Sequence, residues 1–281
     1  RCLQQCYRGG EVKITVLGSG SRGNSIVVQH GKSLIMIDAG FKFDDMLQRL
    51  EQANISASSI QALFVTHGHS DHTDGVADLS RHASIPVFLT EELFIWAAES
   101  SRNGKALSNL SRNNVKFFTV QDKLHIESFE VMPIPVSHDS ISPVGFVIEA
   151  DGIKLSIVTD AGDIPSQSKD AMKDSNVIML ESSYDNDMLW ASKRHYLLKK
   201  RIAGSTGHLS NEKSAEIVSE ILSGRTSDVL LLHLSQECNT PELARKAALE
   251  KNPNLKDGSV NLHVASQDEP LSFCIERCIK Y

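Results

Sequence analysis

The chain has 281 residues, is 41% hydrophobic and carries a formal charge of −6. That is enough for one large domain or two small ones. No run approaches the roughly 18 consecutive apolar residues of a membrane span, and the negative balance excludes a chain that grips nucleic acid by bulk charge.

Five cysteines, Cys2, Cys6, Cys238, Cys274 and Cys278, are odd in number and crowded towards the two ends. That excludes a disulfide framework and reads as free thiols in a reducing compartment, the cytoplasm. No apolar signal-peptide core stands near the start. The chain begins at Arg1 rather than Met, which leaves a removed leader open.

Val12, Ile14 and Val16 alternate with polar residues over 11–17, the period of a strand with one buried face. Gly18-Ser-Gly-Ser-Arg-Gly-Asn-Ser25 then turns into a second strand, 26–29. Such a loop makes a tight hairpin turn or offers backbone N–H groups to a phosphate, and it lacks the Gly-Lys-Ser/Thr ending of a P-loop. Residues 34–38 form a third strand, and 44–54 a helix with Met46, Leu47 and Leu50 on one face.

The next strand, 62–66, runs straight into His67-Gly-His69-Ser-Asp71-His72. On extended backbone His67 and His69, two apart, leave the same side and can share a cation. Asp71 and His72 fall where a helix begins and face a second position. Imidazole and carboxylate suit zinc, with manganese or iron as alternatives. A helix leads on to His82, which lies outside this motif and reads as a surface residue.

Residues 86–89 are a short strand and 91–100 a helix. The polar stretch 101–114, with Arg102, Lys105 and Arg112, reads as a flap or insertion facing solvent or substrate, inside a single domain spanning 1–281. Strands at 115–118, 123–126 and 129–136 lead to His138. Strands 144–150 and 153–159 form a hairpin about Asp151-Gly152, a dipeptide suited to a two-residue turn, and the second delivers Asp160. Residues 177–181 are a buried strand ending in Glu181. A basic, helix-rich stretch, 193–201, precedes Gly207-His208. Residues 211–223 are a helix capped by Ser210 or Asn211. Strand 228–234 carries His233, 241–251 is a helix with proline in its first turn, and 259–265 is the closing strand. No repeat or low-complexity run occurs.

His67-x-His69-x-Asp71-His72 after a buried strand resembles the HxHxDH signature of the metallo-β-lactamase-fold hydrolases. The whole chain resembles their YycJ-like (WalJ-like) branch. The stretches that carry this are Leu17-Gly-Ser-Gly-Ser-Arg-Gly-Asn-Ser25, Ile37-Asp-Ala-Gly40, Pro135-Val-Ser-His-Asp139, Thr159-Asp-Ala-Gly162, Gly207-His-Leu-Ser-Asn-Glu212 and Leu232-His-Leu-Ser235.

The resemblance implies an α+β four-layer αββα sandwich, two mixed β-sheets face to face with outer helices and metals at the strand-end rim. The order of strands and helices, run through twice, suits that plan. It also implies two divalent metal ions, one held by His67, His69 and His138, the other by Asp71, His72 and His233, with Asp160 bridging. Asp38 is implied to brace the metal loops without ligating. His208 resembles the histidine that tRNA 3′-end processing nucleases place before a helix as general acid, and Glu181 matches the carboxylate that orients it.

Two divalent ions about 3.5 Å apart trap a bridging water and lower its pKa towards neutrality, giving a metal-bridging hydroxide. Asp71 can orient that hydroxide or take its proton, and a His208–Glu181 pair can supply the leaving-group proton. The plainer role for His208 is a helix cap.

The activity expected is that of a phosphodiesterase or nuclease. The YycJ-like resemblance implies exonuclease action with DNA favoured. Lys200 and Arg201, with Lys193, Arg194 and Lys199, form a basic patch for backbone phosphates; its alternative is a solvated helix face. The alternative activity is hydrolysis of a small carbonyl substrate, a β-lactam or a thioester, including promiscuous opening as a side reaction. A bridging Asp160 argues against an ordinary β-lactamase. The presence of all seven ligands argues against an inactive scaffold. The chain lacks the long exosite arm of the tRNA nucleases, and its oligomeric state is left open.

Overall fold

The computed structural model describes residues 10–100 and 105–276. Cys2, Cys6, Cys278 and Arg102 lie outside the described residues. The first sheet is built from β1 (Glu11–Gly18), β2 (Ser25–His30), β3 (Ser33–Ile37), β4 (Ala62–Phe64), β5 (Val87–Thr90) and β6 (Val115–Phe118) in that order. The second holds β7 (Leu124–Ile126), β8 (Phe129–Pro135), β9 (Val144–Ala150), β10 (Ile153–Val158), β11 (Val177–Glu181), β12 (Asp228–Leu232) and β13 (Asn261–Val264). The last strand, β14 (Leu271–Glu276), returns to pair antiparallel with β1.

Both sheets follow one plan. An antiparallel meander, β1–β2–β3 or β7–β8–β9–β10, passes into parallel pairing, β3–β4–β5–β6 or β10–β11–β12–β13. The sequence shows no repeat because only the topology recurs. This is the expected αββα sandwich of two mixed sheets with outer helices.

Alternation along each strand sorts its side chains into layers. Ala62 and Phe64 of β4 join Val177 and Met179 of β11 in the core between the sheets. Leu63 and Val65 turn outward onto Met46, Leu50, Leu79 and Leu93 of the helices Phe43–Gln52, Val76–Ala83 and Glu91–Glu99. Ile178 and Leu180 face Met172, Val218 and Ala248 of the helices Ser166–Met172, Asn211–Ile221 and Pro241–Lys251. Phe64 and Phe146 meet edge to face across the two sheets, 5.4 Å apart. Truncating either to alanine would cost about 3–5 kcal/mol.

Three elements depart from expectation. The closing strand expected at 259–265 is the short β13, and β14 follows it, with Leu271, Phe273 and Ile275 packed towards the core. The basic stretch is helical only over Tyr196–Ile202, capped by His195, and a separate short helix Asn186–Ala191 precedes it. The described part of 101–114 is packed down: Leu107 and Leu110 are buried, and the Arg112 guanidinium lies 4.2 Å from the Phe117 ring centroid. The Asp151-Gly152 turn has φ +48° and +77°, as a two-residue hairpin loop of its type requires. His82 packs its ring against Phe43 at the end of its helix.

The sandwich gathers the carboxyl ends of β3, β4, β8, β10, β11 and β12 along one rim. These strand ends lead into Asp38, His67, His138, Asp160, Glu181 and His233.

Candidate metal centre

Three of the rim histidines, His67, His72 and His138, are oriented by a bond at Nδ1. Asp38, at φ +59°, accepts from the Thr66 backbone N–H and the Thr66 hydroxyl, both at 2.8 Å, and from His72 Nδ1–H at 2.7 Å. Because the Thr66 hydroxyl proton goes to Asp38, His67 Nδ1–H donates to Thr66 Oγ1 at 3.0 Å. His138 Nδ1–H donates to the Gly207 carbonyl at 2.8 Å. These bonds place a ring proton of His67, His72 and His138 on Nδ1 and turn Nε2 towards the rim, the orientation that ligates a cation.

These nitrogens converge. His69 Nδ1 lies 3.1 Å from His67 Nε2 and 3.2 Å from His138 Nε2. Asp71, His72 and His233 present ligand atoms within 4.8 Å of one another, and Asp160 lies among both sets. Asp160 Oδ2 is 2.9 Å from His72 Nε2, and Asp160 Oδ1 is 2.8 Å from His233 Nδ1. The seven expected ligands are thus brought together, and Asp38 sits behind them as a brace.

The residues fit a cation on two grounds. Asp160 Oδ2 and His233 Nε2 are buried without a hydrogen-bond partner among the described residues, an arrangement that is costly unless something positive sits there. Burial also pushes His67 and His69 below the ordinary histidine value, which keeps them neutral. At His72 and His233 burial is outweighed by the Asp160 carboxylate and its neighbours, which raise both rings well above that value. Negative charge is concentrated where a cation would neutralise it. His233 stands at φ +53°, left-handed backbone at a non-glycine residue, of the kind that surrounding structure must over-determine.

The Gly18–Ser25 loop resolves as a second brace. Asn24 Nδ2 lies 3.1 Å from His72 Nε2, its backbone N–H donates to the Asp71 carbonyl, and Ser19 Oγ accepts from the His233 N–H at 2.9 Å. A Cβ at Gly40 would meet the Asp71 carbonyl oxygen at 1.7 Å, so only glycine lets these two segments touch.

Glu181 is fully buried at the end of β11. Its Oε2 accepts from the Ala161 and Leu209 backbone N–H groups at 2.9 and 3.0 Å, and its Oε1 accepts from His208 Nδ1–H at 2.6 Å. Burial opposes a charged His208 ring, but the Glu181 carboxylate prevails and raises it above the ordinary value. A cavity of about 250 Å³ opens over this group, lined by His69, Asp71, Asp160, His208 and His233 on its floor and by Arg194 and Arg201 at its mouth.

The basic stretch divides. Arg201 lines the cavity and bonds to Asp139, while Lys200 lies over the Tyr196 ring, outside the cavity wall. Lys199 is buried, donating to the Trp190 and Ser192 carbonyls. Three residues with a place in the site carried only faint signals in the sequence. Asn24 sat in a loop readable as a plain turn, Asp139 directly follows His138, and Thr66 closes the strand before His67.

Residues 34–234 match the family model of the β-lactamase superfamily domain, and fold and rim together define the class, a metallo-β-lactamase-fold, metal-dependent hydrolase. Exodeoxyribonuclease YycJ of Bacillus anthracis is 31% identical over 231 residues, spanning 82% of this chain and 85% of its own length. Exodeoxyribonuclease WalJ of Streptococcus pneumoniae (serotype 2, strain D39) is 29% identical over 232 residues, 83% of this chain and 85% of its own. The solved structure of the metallo-β-lactamase fold protein YhfI from Bacillus subtilis superposes with a TM-score of 0.69 at 15% identity, covering 94% of this chain and 100% of that one, a likeness of fold. The chain belongs to the metallo-β-lactamase superfamily, in its YycJ/WalJ branch. The fold implies divalent metal ions, and no described helix is long and apolar enough to cross a membrane.

Proposed function

We propose that this chain is a dinuclear metal-dependent phosphodiesterase, a nuclease of exonuclease type with DNA as its favoured polymer. One observation carries it. Beside the two ligand sets stands His208, its Nδ1–H held by buried Glu181 and its ring on the wall of the cavity that Asp71 and Asp160 line. An alkoxide leaving group is a strong base and needs a proton, whereas a thiolate, whose thiol has a pKa of about 8.5, departs without one. The names of the YycJ and WalJ relatives support DNA and exonuclease action.

His67, His69 and His138 would hold one divalent ion and Asp71, His72 and His233 the other, with Asp160 between them; zinc suits this nitrogen-rich set, and manganese or iron are alternatives. When bound, the ions supply an acidified water and a Lewis acid for a phosphoryl oxygen. The chain's own groups do the rest. The Asp71 carboxylate, on the cavity floor, orients the water and accepts its proton. His208 donates from Nε2 to the departing oxygen, and Glu181 holds the ring in the tautomer that does so. Arg201, steadied by Asp139, meets a phosphate at the mouth. The buried Cys238 thiol fits a reducing compartment such as the cytoplasm.

The test is to offer metal-loaded protein end-labelled single- and double-stranded DNA and RNA beside nitrocefin and a thioester. Cleavage of the polymers should far exceed turnover of the small carbonyl substrates. Intact polymers with rapid nitrocefin opening would overturn the proposal in favour of a lactamase.

A further inference from the structure

The metal rim does not account for the surface that flanks the cavity beyond Leu198. Trp190, Tyr196, Leu197 and Leu198 are 45%, 57%, 67% and 38% exposed, four large apolar side chains within nine positions. Exposed large apolar side chains gathered so closely in the chain mark a candidate binding surface.

Its neighbours say what would cover it. No carboxylate occurs between Asp187 and Glu212, while Lys193, Arg194, Lys199, Lys200 and Arg201 fall in that interval. Arg194 pairs with Glu237 and Arg201 with Asp139, but Lys193 and Lys200 have no ion pair among the described residues. The helix Tyr196–Ile202 shows two faces. Leu198, Arg201 and Ile202, at i, i+3 and i+4, line the cavity. Tyr196 and Lys200, at i and i+4, share another, where the ammonium lies 5.2 Å from the ring centroid. Trp190 brings its ring to 6.2 Å from that of Tyr196. Buried Lys199 ties the two helices together through the Trp190 and Ser192 carbonyls at 2.7 and 2.6 Å, so the ring pair is placed before any ligand arrives.

We propose that Trp190 and Tyr196 form a stacking platform for the unpaired bases of a single-stranded polynucleotide entering the metal cavity, with Lys193 and Lys200 on its phosphates, a step that rests on the nuclease reading above. Exposed rings interleaved with cations suit a polymer that is anionic along its backbone and aromatic along its bases. A duplex keeps its base faces stacked, so only a single strand or a frayed end offers them to these rings. A second copy of this chain fits less well. Two-fold pairing would set the same basic patch against itself.

An oligonucleotide and an abasic strand of equal length separate stacking from charge. The metal-loaded wild type should cleave the base-bearing strand with the higher kcat/KM. Trp190→Ala and Tyr196→Ala should each cut that advantage by roughly five- to a hundred-fold, and Trp190→Phe and Tyr196→Phe should retain most of it. Metal content and melting temperature, read on each variant, confirm that the site is intact. A ratio of base-bearing to abasic cleavage unchanged in active variants sinks the platform alone. So does conversion of a dimer to a monomer with the ratio unchanged, which would assign the patch to a second copy. A wild type that cleaves no polynucleotide brings down the nuclease reading itself.

Discussion

Asp160 and Arg201 line the same cavity but are held on different terms. The Asp160 side chain is 2% exposed and lies between His72 and His233, and Asp38, Thr66, Asn24 and Glu181 brace the ring around it. The Arg201 side chain is 61% exposed, with Asp139 as its ion-pair partner. At the rim each group has several bonds that agree on one position, in surroundings where a charge is felt strongly. At the lip, water competes with every contact. Chemistry that depends on aligned lone pairs sits where the backbone over-determines them, and the proposed contact with a variable polymer falls where side chains can adjust.

The difference can be broken most severely by stripping the metal. A chelator should abolish activity and lower thermal stability, since ions that bind only the folded chain at a thousand times their Kd contribute about 4 kcal/mol. Re-addition of zinc or manganese should restore both, and an unchanged melting curve would contradict the site. Next in size, His208→Ala should lower kcat by roughly a hundred- to ten-thousand-fold. Elemental analysis should still find two ions per chain; loss of metal would make His208 a ligand and remove the acid.

Asp38→Asn probes the brace without touching a ligand. It should weaken metal binding about ten- to a hundred-fold in chelator competition, because the His72 ring loses its orienting carboxylate. Beneath the exposed surface, Lys199→Met removes two charge-assisted bonds from a buried ammonium to backbone carbonyls. Chemical denaturation should register a loss of about 1.5–3 kcal/mol with metal content unaltered. The smallest effect belongs to Arg201→Ala. The exposed pair with Asp139 contributes at most about 1 kcal/mol to stability, so the change should show instead as a drop of about 1 in the salt slope of polynucleotide binding.

Local spacing in the sequence determined a good deal of this. His67 and His69 share a side because extended backbone has period two, and the buried strands before His67, Asp160 and His233 could be seen in their apolar runs. The alternation of Leu271, Phe273 and Ile275 carried β14 in the same way, six residues against the four of β13 before it. What local spacing does not contain is which partner a side chain meets across the fold. Lys199 and Lys200 are adjacent and chemically identical, yet one is buried against two carbonyls and the other lies over Tyr196, because packing chose which helix face turned inward. Asp139 meets Arg201 across 62 positions, and His233 meets Ser19 across 214. Residue type and period act over a few neighbours along the chain, so they set the strands and the ligand loop; contacts between distant strand ends exist only once two sheets have closed on one another, so the tautomer of each histidine, the braces behind the ligands and the shape of the lip belonged to the tertiary structure alone.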